Sequence, residues 1–360
     1  MTPLGRLIAA RIAAQGPISL ADYMADCLLH PDHGYYTTRP ALGAAGDFTT
    51  APEISQMFGE LLGLALAQAW LDQGSPAPFT LAELGPGRGT LMADLWRATR
   101  GAPGFHAAAR VVLVEASGRM RAAQAQRLAE AAPVWVDAVD DLPRDRPLFL
   151  IANEFLDALP IRQFVRHPQG WAERQVGLQG DRLAWGLAPP ARIAALDHRL
   201  ADTAAGEVVE ICPAAPVILA AVAARIAARG GAAILVDYGG WHSRGDTLQA
   251  LRGHAYADPL AEPGLADLTA HVDFEPLARA AAPCPVTGLT TQRALLLRLG
   301  LAARAERLAR GLTGTALDSH RAAAHRLVDP DAMGTLFKAI ALHAPGTPAP
   351  PGFDASAHDA

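Results

Sequence analysis

Phe79-Thr80-Leu81-Ala82-Glu83-Leu84-Gly85-Pro86-Gly87-Arg88-Gly89-Thr90 is the stretch whose reading decides the fold. Its first six residues are mostly apolar and short enough for a buried strand. Three glycines in five positions then make a tight turn, and from Thr90 to about Arg100 the apolar residues recur at helical spacing. Glycine adopts positive φ at no steric cost and lets a ligand approach the backbone, while a helix N-terminus favours negative groups. A strand, a glycine turn and a helix in that order is the arrangement that holds nucleotide cofactors. The bland alternative is a turn that only packs strand against helix.

Spacing separates the cofactor classes. A dinucleotide turn reads GxGxxG, and here Thr90 stands where its third glycine belongs. The glycines form GxGxG instead, with Glu83 two residues before the first. S-adenosylmethionine (SAM) has no pyrophosphate and carries an ammonium that Glu83 can hold. The next apolar run, Arg110–Val114, ends at Glu115, whose carboxylate can accept from both ribose hydroxyls. NAD and SAM sites share that feature. Asp137, after the run Val134–Val136, is placed to reach the adenine amine. Gly85, Gly87, Gly89, Glu83, Glu115 and Asp137 are therefore the cofactor candidates of this region. An NAD-dependent oxidoreductase is the reading that Thr90 disfavours.

Outward from the turn, strand and helix patterns alternate. Ser117 to about Ala131 reads as a helix; Leu148–Ala152, ending at Asn153-Glu154, and Ala232–Val236, ending at Asp237, read as strands; Phe337–His343 reads as the last. Such alternation argues an α/β fold with a parallel, doubly wound, Rossmann-like sheet. Residues 4–14 and 20–29 read as helices, the second capped by Ser19 with Asp22 in a capping box. His30 to Pro52 reads as an ordered loop, and Pro52 as the start of a helix to about Asp72. The expected organisation is a helical N-terminal region with a cofactor-covering loop (1–75), a SAM-binding domain (76–159 and 206–345), an inserted β-rich region on the substrate side (160–205) and a flexible tail (346–360). Residues 240–275 read as a polar loop.

The 360 residues are 51% hydrophobic, ample for a buried core, and carry a formal net charge of −5. That charge argues against a broad nucleic-acid surface. Lys338 is the only lysine, a bias read as codon composition. Cys27, Cys212 and Cys284 are far apart and form no CxxC pair, so neither a disulfide framework nor a zinc site is expected. A reducing, cytoplasmic setting fits them. The first residues lack the long apolar core of a signal peptide. The most apolar stretch, Pro213 to Val236, is interrupted by Arg225, Arg229 and Gly230-Gly231, so no membrane insertion is expected.

Further motifs run along nearly the whole chain. They include His30-Pro31 with Gly34-Tyr35-Tyr36, Gly46-Asp47-Phe48-Thr49-Thr50-Ala51-Pro52-Glu53-Ile54-Ser55-Gln56, and Phe58-Gly59-Glu60-Leu61-Leu62-Gly63. Ala152-Asn153-Glu154-Phe155-Leu156-Asp157-Ala158-Leu159-Pro160, Asp237-Tyr238-Gly239, Gly264 with Ala266 to Phe274, and Met333-Gly334 with Leu336-Phe337-Lys338 follow. With Glu83 to Thr90 and Leu113-Val114-Glu115, this ordered set resembles the MidA-type class I SAM-dependent methyltransferases. The resemblance implies SAM as cofactor, arginine methylation of a protein, and a respiratory complex I (NADH dehydrogenase) subunit as substrate partner. It also places the loop Gly46-Asp47-Phe48-Thr49 beside the cofactor, although a loop held by its own Asp-to-backbone hydrogen bonds explains those residues equally well.

Methyl transfer needs nucleophile, methyl and sulfonium in line, which is chiefly orientation. A guanidinium is a delocalised cation, and carboxylates gripping its other N–H groups localise that charge away from the attacking nitrogen. Asn153, Glu154 and Asp157, just past a strand's carboxyl end, are the catalytic candidates on this argument; the alternative is that Glu154 and Asp157 cap a helix. Asp47 and Glu53 are reserve carboxylates. His271 with Asp267 and Asp273, and His30 with Asp32 and His33, lack metal-ligand spacing, so no metal is expected. The reading is an arginine-directed protein methyltransferase, with a small-molecule or other-residue methyltransferase and a SAM-binding assembly chaperone as alternatives.

Overall fold

A computed structural model describes residues 1–38 and 50–354. The chain divides into two compact units: Met1–Phe48 with Asp157–Ala215 and Gly240–Asp273, and Thr49–Leu156 with Pro216–Gly239 and Phe274–Ala360.

In the second unit the sheet order is Thr290–Thr291, Phe337–His343, Gly231–Gly240, Leu148–Asn153, Phe79–Leu84, Ala109–Val114, Val134–Val136. Gly231–Gly240, Leu148–Asn153, Phe79–Leu84, Ala109–Val114 and Val134–Val136 are parallel to their neighbours in that order. Phe337–His343 runs antiparallel to the strands on either side of it, so the sheet is not parallel throughout. The α/β fold expected from the alternating pattern is present. From Phe79–Leu84 the chain proceeds to Ala109–Val114 and Val134–Val136 on one side, then returns with Leu148–Asn153 on the other. The carboxyl ends of Phe79–Leu84 and Leu148–Asn153 therefore flank a topological switch point, where such sheets bind ligands.

Large side chains fill one face of this sheet. Phe79 packs against Phe105 and Phe149, with ring centroids 5.0 and 5.3 Å apart, and Trp70 meets Phe105 edge to face. Trp70 comes from the helix Gln56–Asp72, which also buries Met57, Phe58, Leu61, Leu62 and Leu66. On that helix Gly59 and Gly63 permit close approach to the helix Thr90–Ala98: a Cβ would lie 2.9 Å from the Leu91 carbonyl oxygen at Gly59 and 2.6 Å from Leu95 Cγ at Gly63. This contact seats the helix that opens at the glycine turn.

The expected single helix from Pro52 to Asp72 is two. Ala51–Ile54 ends at Ser55, which is extended (φ −157°, ψ 133°), and the Ser55 hydroxyl accepts from the Met57 amide to start Gln56–Asp72. A serine competes for backbone donors in this way where helical spacing alone gives no warning. The expected tail also differs as far as it is described. Phe353 packs on the core, Arg298 donates to the Gly352 carbonyl oxygen, and Arg298 pairs with Asp354 at 2.9 Å.

In the first unit the helices Pro3–Gln15 and Leu20–Leu29 form as the sequence predicts; Ser19 Oγ accepts from the Asp22 amide at 3.0 Å. Leu4, Ile8, Ile12, Tyr23 and Met24 pack with Val176 and Leu268. Arg162–His167, Gly170–Gln179 and Arg182–Leu187 are antiparallel neighbours. Two differences stand out. Val208–Ile211, expected in the cofactor domain, pairs antiparallel with Arg162–His167. Residues 240–275, expected as loop, contain the antiparallel strands Gln249–Arg252, Ala255–Ala257 and Asp267–Thr269. These strands are three or four residues long, too short to show a period of two against their polar flanks.

Candidate active site

The glycine turn joins Phe79–Leu84 to Thr90–Ala98. Gly85, Gly87 and Gly89 all have positive φ, at 58°, 52° and 76°. At Gly85 the lack of a side chain serves the protein itself: a Cβ would stand 2.8 Å from Phe155 Cδ2, a residue of the neighbouring strand's exit loop. The space at this turn is thus partly occupied by Phe155 rather than left wholly for a ligand.

Glu83 is buried at the end of its strand, and its Oε2 has no hydrogen-bond partner. Burial pushes its carboxyl up to about 8, against the pull of the Met92 amide, and the nearby Glu115 carboxylate pushes in the same direction. Glu115 lies beyond the adjacent strand Ala109–Val114. Its Oε1 accepts from the Ser117 amide at 2.7 Å and its Oε2 from Gln124 at 3.2 Å. Burial raises this carboxyl too, and these donors oppose the rise. Asp137 is exposed and pairs with Arg121, whose guanidinium also donates to the Glu115 carbonyl oxygen.

On the other side of the switch point, Asn153 ends Leu148–Asn153 and Glu154 follows in a left-handed conformation, φ 50°. Glu154 Oε1 accepts from Asn153 Nδ2 and from the Ala51 amide, each at 3.0 Å. Asn153 Oδ1 is buried and has no hydrogen-bond partner. The corner is held from beneath by Asp237, which is buried: its Oδ2 accepts from the Phe155 and Leu156 amides at 3.2 and 2.9 Å, and its Oδ1 from the Tyr238 amide at 2.9 Å. Asp237 thus shapes the corner through its backbone, a role that an acidic residue at a strand end only hints at.

The structure joins Asn153 to Glu154 but places Asp157 in the first unit, where its carbonyl oxygen accepts from the Ala270 amide. Glu53 is drawn to the glycine turn: Thr90 donates to it and Arg88 pairs with it at 3.5 Å. It is therefore not the spare carboxylate that the sequence suggests. Gly46, Asp47, Phe48 and Thr49 lie outside the described residues. Gln124, a polar residue on an Ala- and Arg-rich helix, is the contact the sequence reading missed.

Two buried acceptor atoms without partners, Glu83 Oε2 and Asn153 Oδ1, sit at the ends of adjoining strands beside a second carboxylate, Glu115. A donor-rich, cationic ligand satisfies such acceptors, whereas a pyrophosphate would be repelled. SAM, with its ammonium, sulfonium and ribose hydroxyls, fits this set.

Comparison with known proteins agrees. The model of a family of S-adenosyl-L-methionine-dependent methyltransferases matches residues 61–291. The mitochondrial protein arginine methyltransferase NDUFAF7 of Mus musculus is 39% identical, over 84% of this chain and 76% of its own length; that of Danio rerio is 36% identical, over 92% and 84%. A likely methyl transferase from Burkholderia thailandensis, solved with S-adenosyl-homocysteine bound, superposes with a TM-score of 0.83 at 31% identity, covering 98% of this chain and 93% of that one. The mitochondrial names of the curated relatives overturn the cytoplasmic placement. Unpaired cysteines do not tell one compartment from another. Sequence motifs, switch-point geometry and these likenesses converge: the chain belongs to the MidA-type family of SAM-dependent methyltransferases.

Proposed function

We propose that this methyltransferase acts on an arginine side chain of a protein, a respiratory complex I subunit. The relatives named as protein arginine methyltransferases support the arginine; the family resemblance supports complex I. The observation that carries the reading is Glu154. A non-glycine residue at positive φ costs about 1–2 kcal/mol, yet here a glutamate takes that conformation at the carboxyl edge of the sheet. Such strain is retained where a side chain must point somewhere particular. The Ala51 amide and Asn153 fix one carboxylate oxygen, and the charge is then set to grip a guanidinium. SAM, when bound, would supply an activated methyl, and Glu154 would hold the guanidinium by its remaining N–H groups so that one nitrogen faces that methyl. Glu83 would hold the cofactor's ammonium, Glu115 its ribose and Asp137 its adenine amine. Asp157 is a second candidate grip, to be tested alone as Asp157→Asn.

Incubating the protein with methyl-labelled SAM and a complex I-containing lysate, then locating the label by mass spectrometry, tests the substrate. Label on arginine of a complex I subunit supports the proposal. Label on another residue or a small molecule overturns it. Full complex I assembly by a variant that cannot transfer methyl would instead favour the chaperone role.

Two expectations concern the cofactor. Glu115→Ala folds normally and weakens SAM by about 1–3 kcal/mol, the scale of lost charge-assisted hydrogen bonds; calorimetry giving an unchanged Kd removes Glu115 from the ribose. Glu83 gives a pH signature. Its folded pKa, about 8, is raised above the ordinary carboxyl value of 4.5, so the folded state holds the proton more tightly. The stability from that proton is fully present below about 4.5 and is lost as pH rises to about 8. A cationic ligand reverses the preference and drives the proton off. The ligand-free Tm of the parent should therefore fall relative to that of Glu83→Gln between pH 5 and 8, and the Tm gain on adding SAM should grow. Parallel pH profiles for parent and variant would contradict this.

A further inference from the structure

Gln124 lies on the helix Gly118–Arg127 and is fully buried. Its amide touches three groups from three different elements. Nε2 donates to the Gly87 carbonyl oxygen at 2.7 Å and to Glu115 Oε2 at 3.2 Å, and Oε1 accepts from Trp135 Nε1 at 2.7 Å. The orientation of this amide is chemically determined. An indole N–H can only donate, so it must meet Oε1, and Nε2 must face the two acceptors. Both Nε2 hydrogens have a partner. The glycine turn also rests on this side chain, since a Cβ on Gly89 would lie 3.5 Å from Gln124 Cγ.

We infer that Gln124 is a positioning residue for cofactor recognition, tying the Glu115 carboxylate and the Gly87 carbonyl into one unit anchored on Trp135. The inference rests on Glu115 being the ribose-binding residue. The Ser117 amide and Gln124 each bond one oxygen of Glu115. The carboxylate plane is thereby set for a ligand hydroxyl. Gln124 also favours the ionised form of a carboxyl that burial pushes upward. Without its N–H, Glu115 should protonate at higher pH and present its oxygens less precisely. A residue that merely filled space would produce neither effect.

The test is calorimetry with S-adenosylhomocysteine at pH 5.5 and pH 8 on the full chain, its Gln124→Met, its Glu115→Gln and the double variant. Met keeps the bulk and removes the donor. Gln124→Met should raise Kd about tenfold at pH 8, the scale of one hydrogen bond to a charged group, and by more at pH 5.5. In the Glu115→Gln background its effect should shrink by more than half and lose its pH dependence, the sign of coupling between the two residues. A folded Gln124→Met with unchanged Kd at both pH values overturns the inference. So does a loss that is equal in both backgrounds and at both pH values. If Gln124→Met fails to fold, Trp135→Phe removes the donor that orients the amide, together with part of the ring. About a threefold loss, again larger at pH 5.5, supports the role, and no loss overturns it. An unchanged Kd for Glu115→Gln itself refutes the ribose reading, whereas a loss there with none at Gln124 refutes the positioning role alone.

Discussion

Glu154→Gln should fold like the parent, bind SAM within about twofold and transfer methyl roughly a hundredfold more slowly, the scale seen when one transition-state contact is removed. The substitution keeps shape and the accepting oxygen, so the bonds from the Ala51 amide and Asn153 Nδ2 can persist. The charge is lost, and the second carboxylate oxygen becomes an NH2 donor that cannot accept from a guanidinium. A guanidinium must redistribute positive charge as one nitrogen attacks, and a contact that strengthens in the transition state affects turnover more than binding. Glu154→Gly separates the strain from the function. It relieves the left-handed backbone, worth about 1 kcal/mol, but loses the bonds from the Ala51 amide and Asn153 Nδ2, which together are worth more than that. Its Tm should fall modestly while activity collapses. Full activity in Glu154→Gln would reduce this glutamate to a backbone cap.

Gly231→Ala should cost more than about 4 kcal/mol and leave little soluble protein. Gly231 opens the central strand Gly231–Gly240 with φ 120°, in register with Leu148. A Cβ there would stand 1.9 Å from the Leu148 carbonyl oxygen and 2.6 Å from its carbonyl carbon. Backbone cannot rotate aside as a flexible side chain can, so the two strands must separate where the ladder begins. Gly74→Ala is the control: its φ is 82°, but nothing lies within 4 Å of the added carbon, so only the conformational cost of about 1 kcal/mol applies. Thermal unfolding curves that coincide for the two variants would show that the strands can yield.

Much of the local structure around the candidate site was legible because its signals are local. The strand, the glycine turn and the helix after Leu84 lie within twenty residues, and Glu83 and Glu115 each stand at a strand end that periodicity locates. The cap at Ser19 was equally plain, since a hydroxyl bonding an amide three residues on needs no distant partner. Where local rules compete the reading failed: Ser55 broke a helix that apolar spacing made continuous. The short strands between 249 and 269 escaped for want of length.

The sequence alone determined the chemistry on offer: an α/β alternation, a GxGxG turn unsuited to a dinucleotide, and carboxylates at the ends of successive strands. Only the tertiary structure decided which of these meet. Ala51 reaches Glu154 across 103 residues and Asp237 reaches Leu156 across 81. Strand order brings Asn153 and Glu154 beside the glycine turn while Asp157 goes to the other unit. Gln124 acquires its role only when three elements enclose it. The reason is physical. Helical spacing, glycine turns and caps arise from bonds between near neighbours in the chain, whereas burial, unpartnered acceptors and backbone strain depend on what packs against a residue from far along it.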